Sequence, residues 1–180
     1  ENYDCDDNCI VELDCAGDCG GEAVVDECGE CGGSGPEENY DCEGNCTVET
    51  DCNGECGGEA LVCIAFGSVT SDLMDIAIIN SVDIAGFQFD VLGVTINGAS
   101  NGLAADAGFT VSAGGNTVLG FSFTGSTIPA GSNGILTTLA YTSTSDEACL
   151  DLGSGAISDT SGSAVSVSFG DCVLLGTDGV

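Results

Sequence analysis

Between residues 4 and 63 the chain reads DCDDNC, DCAGDC, DECGEC, DCEGNC and DCNGEC before closing on LVC. The five units share one pattern: an acid, a cysteine, a small turn and a second cysteine. A longer period lies over it, because residues 1–23 (ENYDCDDNCIVELDCAGDCGGEA) match residues 38–60 (ENYDCEGNCTVETDCNGECGGEA) at an offset of 37 residues. Repetition of this kind marks stacked supersecondary units that bury too little surface to stand singly. Nineteen of the thirty acids fall in residues 1–63 and few apolar side chains accompany them, so no hydrophobic core can form there. A segment this small and polar needs disulfides or metal ions to hold a shape, and without them it would be disordered.

The cysteines supply the first of these. Eleven of the thirteen lie in residues 1–63: Cys5, Cys9, Cys15, Cys19, Cys28, Cys31, Cys42, Cys46, Cys52, Cys56 and Cys63. Bridges between successive units would make a ladder, although spacing leaves the pairing open. Such density predicts a disulfide framework made in an oxidising compartment, hence a secreted, extracellular or cell-surface protein. The odd total leaves one sulfur free or paired with another chain. The sequence opens inside a repeat with no visible signal peptide, and a mature secreted form is the expectation. A thiolate site for zinc or iron–sulfur is the weaker alternative, since C-x2-C occurs only at Cys28/Cys31.

The chain has no Lys, Arg or His. Each carboxylate must therefore face water, accept hydrogen bonds or bind a cation. Phosphate recognition depends on Lys and Arg, so nucleic acid is excluded as a partner and an anionic membrane surface is disfavoured. No His base, Schiff-base lysine or Ser-His-Asp site can be assembled. Asp75, Asp83 and Asp90 are the carboxylates that could pair for glycoside hydrolysis, but no Trp and few Tyr accompany them, and no enzyme is expected. The longest apolar run is far too short to span a membrane.

Within the repeats, oxygen-bearing side chains recur at alternate residues. The series are Asp4, Asp6, Asn8; Asp14, Asp18; Asp41, Glu43, Asn45; and Asp51, Asn53, Glu55, with Asp26 in the middle unit. Alternate oxygens around a glycine turn are how a short loop wraps a hard cation, and calcium is the expected cofactor. A solvated acidic face is the plainer reading. The loops resemble those of EF-hands, dockerins and thrombospondin type 3 repeats, but lack the bidentate Glu at loop position twelve, where Cys15 and Cys52 stand. Ligands would then be shared between neighbouring units. Asn45-Cys46-Thr47 is formally a glycosylation sequon.

After Cys63 the pattern changes to period-two alternation bounded by Gly, Asn, Ser and Asp. Met74, Ile76 and Ile78 alternate with Asp75 and Ala77, and Phe87, Phe89 and Val91 with Gln88 and Asp90. Leu119, Phe121 and Phe123 read as an inward row, as do Ile135, Leu139, Tyr141 and then Val165, Val167, Phe169. Asn97-Gly98, Asn101-Gly102, Gly114-Gly115 and Asn133-Gly134 read as turns, and LAADAG as a helical turn. Eight or nine short strands in this length predict an all-β, two-sheet sandwich, with a disulfide between Cys149 and Cys172.

Two resemblances sharpen this division into a calcium-binding repeat arm (1–63) and a sandwich (64–180). The arm resembles the Cys/Asp/Gly-rich repeats of secreted, often marine, bacterial surface proteins. IAFGSVTSDLMDIAIINSVDIAGFQFDV and GNTVLGFSFTGSTIPAGSNGILTTLAYT resemble strands of a cohesin-type module, which implies a jelly-roll, cohesin-like or carbohydrate-binding-module-like fold. The leading functional expectation is an extracellular structural or adhesive protein, stiffened by calcium and disulfides. It would self-associate into a filament through the odd cysteine, shared calcium, or an edge strand taking the tail DCVLLGTDGV or an N-terminal segment of the next subunit. The alternative is a cohesin-like binding module for a dockerin or a polysaccharide, with the repeats as a spacer.

Overall fold

The structure is a computed structural model that describes residues 2–176 apart from Cys5 and Asp7; Glu1, Cys5, Asp7 and residues 177–180 lie outside the described residues. Two compact units result, Glu1–Thr50 and Asp51–Val180, so the fifth Asp–Cys loop stands with the sheets.

The second unit is nearly all β. Strands β1 (Val62–Val69), β2 (Leu73–Asn80), β4 (Val94–Ser100), β7 (Asn133–Ser143) and β10 (Val167–Phe169) form one sheet in the order β10-β1-β2-β7-β4. Strands β3 (Gly86–Leu92), β5 (Thr110–Gly114), β6 (Thr117–Phe121), β8 (Glu147–Asp151) and β11 (Val173–Leu174) form the other in the order β11-β8-β3-β6-β5, with β9 (Ile157–Ser158) also on β3. The LAADAG run becomes the helix α1 (Gly102–Asp106). Alternation decides which face each strand buries. Met74, Ile76 and Ile78 of β2 and Phe87, Phe89 and Val91 of β3 point into one core, shared by both sheets. Each such side chain contributes on the order of 1.5–3 kcal/mol when fully buried. At the core's margin Tyr141 Oη donates to Thr70 O at 2.5 Å and Asn80 Nδ2 to Val82 O and Pro129 O at 2.8 Å each, while the buried Asn80 Oδ1 accepts no hydrogen bond.

Several expectations are corrected. Leu119, Phe121 and Phe123 do not face inward; Val118 and Gly120 do, both buried, whereas Phe123 is 82 % exposed. Register explains the reversal. Phe87 stands opposite Gly120 and Phe89 opposite Val118, and a Cβ on Gly120 would lie 2.1 Å from the Phe87 ring. The large ring takes the room that the glycine leaves. In β7 the pairing with β2 shifts between Ile76 and Ala77, so Leu136 is fully buried and Ile135 only partly. Asn97-Gly98 is not a turn between strands but a register shift inside β4. The tail residues Val173 and Leu174 pair with Ala148 and Glu147 of β8, beside the Cys149–Cys172 disulfide, so this segment already has a partner within its own chain.

Among the described residues of the first unit no hydrophobic side chain is buried; the buried set begins at Val62. Order comes from small hairpins, closed by the bridges Tyr3↔Cys9, Leu13↔Cys19, Val25↔Cys31 and Tyr40↔Cys46. Disulfides link one hairpin to the next: Cys9–Cys19, Cys15–Cys31 and Cys28–Cys42. Each middle hairpin thus uses one sulfur toward its predecessor and the other toward its successor. Cys52–Cys63 ties the last loop to β1, and Cys46 and Cys56 are also disulfide-bonded. The thirteenth cysteine, Cys5, lies outside the described residues.

Candidate functional site

The acid that opens each hairpin is turned into its own loop. Asp14 Oδ1 accepts the amides of Ala16 at 3.0 Å and Asp18 at 2.8 Å. Asp26 Oδ1 accepts those of Cys28 and Glu30, both at 2.9 Å. Asp4, Asp41 and Asp51 repeat the pattern with the amides two and four residues on. Such Asx-type bonding lets one carboxylate close a five-residue turn. The glycine three residues after the acid, Gly17 or Gly29 for example, has φ of 88° or 84°, where a side chain is disfavoured.

The second carboxylate oxygen reaches further. Asp14 Oδ2 accepts the Ala23 amide at 3.1 Å and Asp26 Oδ2 the Gly35 amide at 2.9 Å. This accounts for the second of the paired glycines that follow Cys19 and Cys31, while the first, Gly20 or Gly32, has a positive φ of 68° or 71°. A Cβ on Gly21 or Gly33 would stand 2.0 Å from that oxygen. Gly33→Ala is therefore expected to expel the Asp26 carboxylate and speed hydrogen exchange at the Glu30 and Gly35 amides at least about tenfold, leaving the sheets unchanged. Unchanged exchange at both amides would contradict this account.

The same loop recurs in the second unit without cysteine. Asp159-Thr160-Ser161-Gly162-Ser163 is closed by the Ser158↔Ala164 bridge, with Asp159 Oδ1 accepting the amides of Ser161 at 2.8 Å and Ser163 at 3.0 Å. The Asp-x-x-Gly-x spacing was visible there in the sequence, but its lack of cysteine hid it. Its presence shows that the carboxylate geometry does not require a disulfide.

These bonds hold several carboxyls below their ordinary value of 3.8. The main cause is the amide of Asn8 for Asp4, of Asp18 for Asp14 and of Glu30 for Asp26. For Asp41 it is the Asn45 side chain, and for Asp159 the Ser161 hydroxyl. A depressed folded value adds stability above the unfolded pKa, and this is lost as pH falls through the folded one. The loops are thus expected to stay closed down to the ordinary carboxylate range and to open only below it. An NMR titration of the Asn8, Asp18, Glu30, Asn45 and Ser163 amides checks this; midpoints at or above 3.8 would refute it.

The predicted calcium ligands fall into two groups. Asp14, Asp26, Asp41 and Asp51 are half-buried in their turns, whereas Asp4, although it closes its turn in the same way, is exposed, as are Asp6, Asn8, Asp18, Glu43, Asn45, Asn53 and Glu55. Asn8 and Asn45 direct their Nδ2 groups at the carboxylates of Asp4 and Asp41, and Asn53 Nδ2 donates to Ser168 Oγ at 2.7 Å. Among the described residues, the Cys, Asp and Glu ligand atoms converge within 4.8 Å in one trio only, Glu147, Cys149 and Cys172, and its two sulfurs form a disulfide. In the sequon, Asn45 is engaged as above and Thr47 Oγ1 donates to Asn39 O at 2.9 Å.

The acids weighed for hydrolysis are likewise held by neighbours. Thr138 Oγ1 donates to Asp75 and Thr117 Oγ1 to Asp90, each at 2.6 Å, and the Ala130 amide donates to Asp83 at 2.7 Å.

The second sheet carries a feature that the reversed β6 face creates. On its outer side, a groove of about 400 Å³ runs between Leu119 and Phe121 of β6 and the segment Ser154–Ser158, with Gly86 and Gln88 of β3 also lining it. Phe123 stands edge-on to Phe121, ring centres 4.7 Å apart at 77°. The loop presenting it is tied by hydroxyls: Ser122 Oγ and Thr124 Oγ1 lie 3.1 Å apart, Thr124 Oγ1 and Ser126 Oγ 3.0 Å, and the Ser126 amide donates to Ser122 Oγ at 3.1 Å.

No protein-family model matches the sequence, and no curated protein is significantly similar to it. Among solved structures, a non-cellulosomal cohesin from Archaeoglobus fulgidus is 18 % identical with a TM-score of 0.44, over 61 % of this chain and 86 % of its own. The sixth cohesin of Acetivibrio cellulolyticus scaffoldin B, solved with a dockerin, is 16 % identical with a TM-score of 0.46, over 64 % of this chain and 99 % of its own. A type I cohesin from Clostridium thermocellum, also in complex with a dockerin, is 9 % identical with a TM-score of 0.45, over 62 % of this chain and 90 % of its own.

Proposed function

We propose that the protein is a secreted structural component of an extracellular fibre or surface layer. The observation that carries this is the relay of disulfides from each Asp-closed hairpin to the next, in a segment with no buried hydrophobic side chain among its described residues. A covalent relay suits a spacer that must persist outside the cell, where thiols are oxidised and no core is needed. Thirty acids and no cationic side chain oppose any close packing of copies, so assembly needs ions from solution. Calcium is the proposed ion, taken by the solvent-facing oxygens of Asp6, Asp18, Glu43 and Glu55 across neighbouring copies. Negative-stain electron microscopy of native, unreduced material before and after EGTA tests the reading. Filaments that fall apart on chelation support it; isolated particles in both conditions sink it.

The second reading is a binding module for a dockerin or a polysaccharide, and the uncharged groove beside Phe121 favours it. Capture of a calcium-loaded dockerin, or retention on insoluble glycan, would support it over the first.

A further inference from the structure

We propose that the groove between β6 and the segment Ser154–Ser158 binds an uncharged polysaccharide chain. This rests on the second reading above and deepens it by naming the ligand class and the residues that take it, and it stands whether or not the protein polymerises.

The first argument is electrostatic. In a chain with thirty acids, the residues lining this groove include no carboxylate; they are Gly, Ala, Phe, Leu, Ser and Gln88. A cationic partner is drawn to the acidic chain as a whole but finds no carboxylate in this lining to pair with, and richer sites lie elsewhere on the surface. An anionic glycan would meet the field of Asp90 and Asp151, neighbours across β3 and β8 on the same outer face, and the chain's net charge of −30. A neutral ligand is the class that the lining itself fits.

The second argument is the shape and chemistry of the lining. A groove of about 400 Å³ falls within the range that small ligands fill, where apolar walls combine with a few fixed polar groups. Leu119 and Phe121 line one side, and Gln88, Ser154 and Ser158 bring amide and hydroxyl groups to the lining, Ser158 Oγ also donating to Gly86 O at 3.4 Å. A sugar ring offers apolar C–H faces and hydroxyl edges, which matches that division. Gly86 keeps the floor low, since a Cβ there would stand 3.2 Å from Ser158 Oγ.

The third argument is Phe123. At 82 % exposed it is the most exposed large hydrophobic side chain among the described residues. Its ring stands edge-on to Phe121, on a turn where the hydroxyls of Ser122, Thr124 and Ser126 are hydrogen-bonded to one another. Beside Phe121 this ring extends the apolar wall as a stacking platform, and the tied turn beneath it lowers the backbone entropy lost on binding.

The test is affinity electrophoresis of the full, unreduced chain in native gels containing laminarin, xylan, galactomannan or hydroxyethylcellulose, with alginate as the anionic control. Retardation is expected in at least one neutral gel and not in alginate. Phe123→Ala and Gln88→Ala should each weaken that retardation about tenfold, the loss of one stacking or bidentate contact. Phe123 is exposed, so Phe123→Ala should keep the wild-type melting temperature, separating lost binding from lost folding. Free migration in all four neutral gels, equal retardation in alginate, or wild-type binding by Phe123→Ala would overturn the proposal. A Phe123→Ala effect confined to self-association, read by sedimentation, would also overturn it and assign the platform to a protein contact. Filament loss on chelation is read separately by microscopy, so failure of either reading leaves the other standing.

Discussion

Reduction under native conditions is expected to abolish the ordered state of residues 2–50 while leaving both β-sheets folded. The first unit has no buried hydrophobic side chain among its described residues, so the cost of ordering its backbone is not offset by apolar burial. The three disulfides within it span 10, 16 and 14 residues, and closing loops of that size stabilises by about 3 kcal/mol each in the chain-entropy account. The carboxylate staples alone act over five residues and cannot join one hairpin to the next. In an NMR spectrum after reduction, amides of residues 2–50 should collapse to random-coil positions while those of β2, β3 and β7 keep their dispersion. Glutamyl endopeptidase gives an independent readout, because eleven of the twelve glutamates lie in residues 1–63 and the twelfth, Glu147, lies in β8. Cleavage in residues 1–63 should accelerate sharply. Retained dispersion in the reduced arm would show that carboxylate turns or bound cations are sufficient, and would reverse the ranking argued here.

Phe89→Ala is expected to destabilise the sandwich by about 3–5 kcal/mol, a large fraction of the stability of a domain this size. Phe89 is fully buried at the centre of β3, its ring 6.0 Å from that of Phe87, with Val118 opposite on β6. β3 is the strand on which β6, β8 and β9 all depend, so a cavity there loosens the whole second sheet. Urea unfolding followed by far-ultraviolet circular dichroism measures the loss. A change under 1.5 kcal/mol would mean that the core collapses around the gap, or that the second sheet contributes little to the cooperative unit.

The sandwich and the arm were legible in the sequence for different reasons. Period-two alternation in 73–80 and 86–92 names the buried face directly, because side-chain direction along a strand depends only on parity. In TVLGF parity was equally clear, but hydrophobicity pointed to the wrong face. Only the pairing of Gly120 with Phe87 turns Leu119, Phe121 and Phe123 outward, since room for an aromatic ring is a property of two strands together. The Leu136/Ile135 exchange on β7 has the same origin in a cross-strand shift.

In the arm, the regular acids and cysteines were apparent, and so was a ladder between successive units. Which sulfur joins which was not, because spacing permits many connectivities and only proximity selects one. The acids show the division most clearly. Composition and spacing by themselves determined that these carboxylates could never find a cationic side chain and must serve turns, water or ions. That Asp14, Asp26, Asp41 and Asp51 turn inward while Asp18, Glu43 and Glu55 face solvent was decided by the tertiary structure. The physical reason is that folding each hairpin back on itself brings the amides two and four residues on to converge on one oxygen of its first acid, and of no later one.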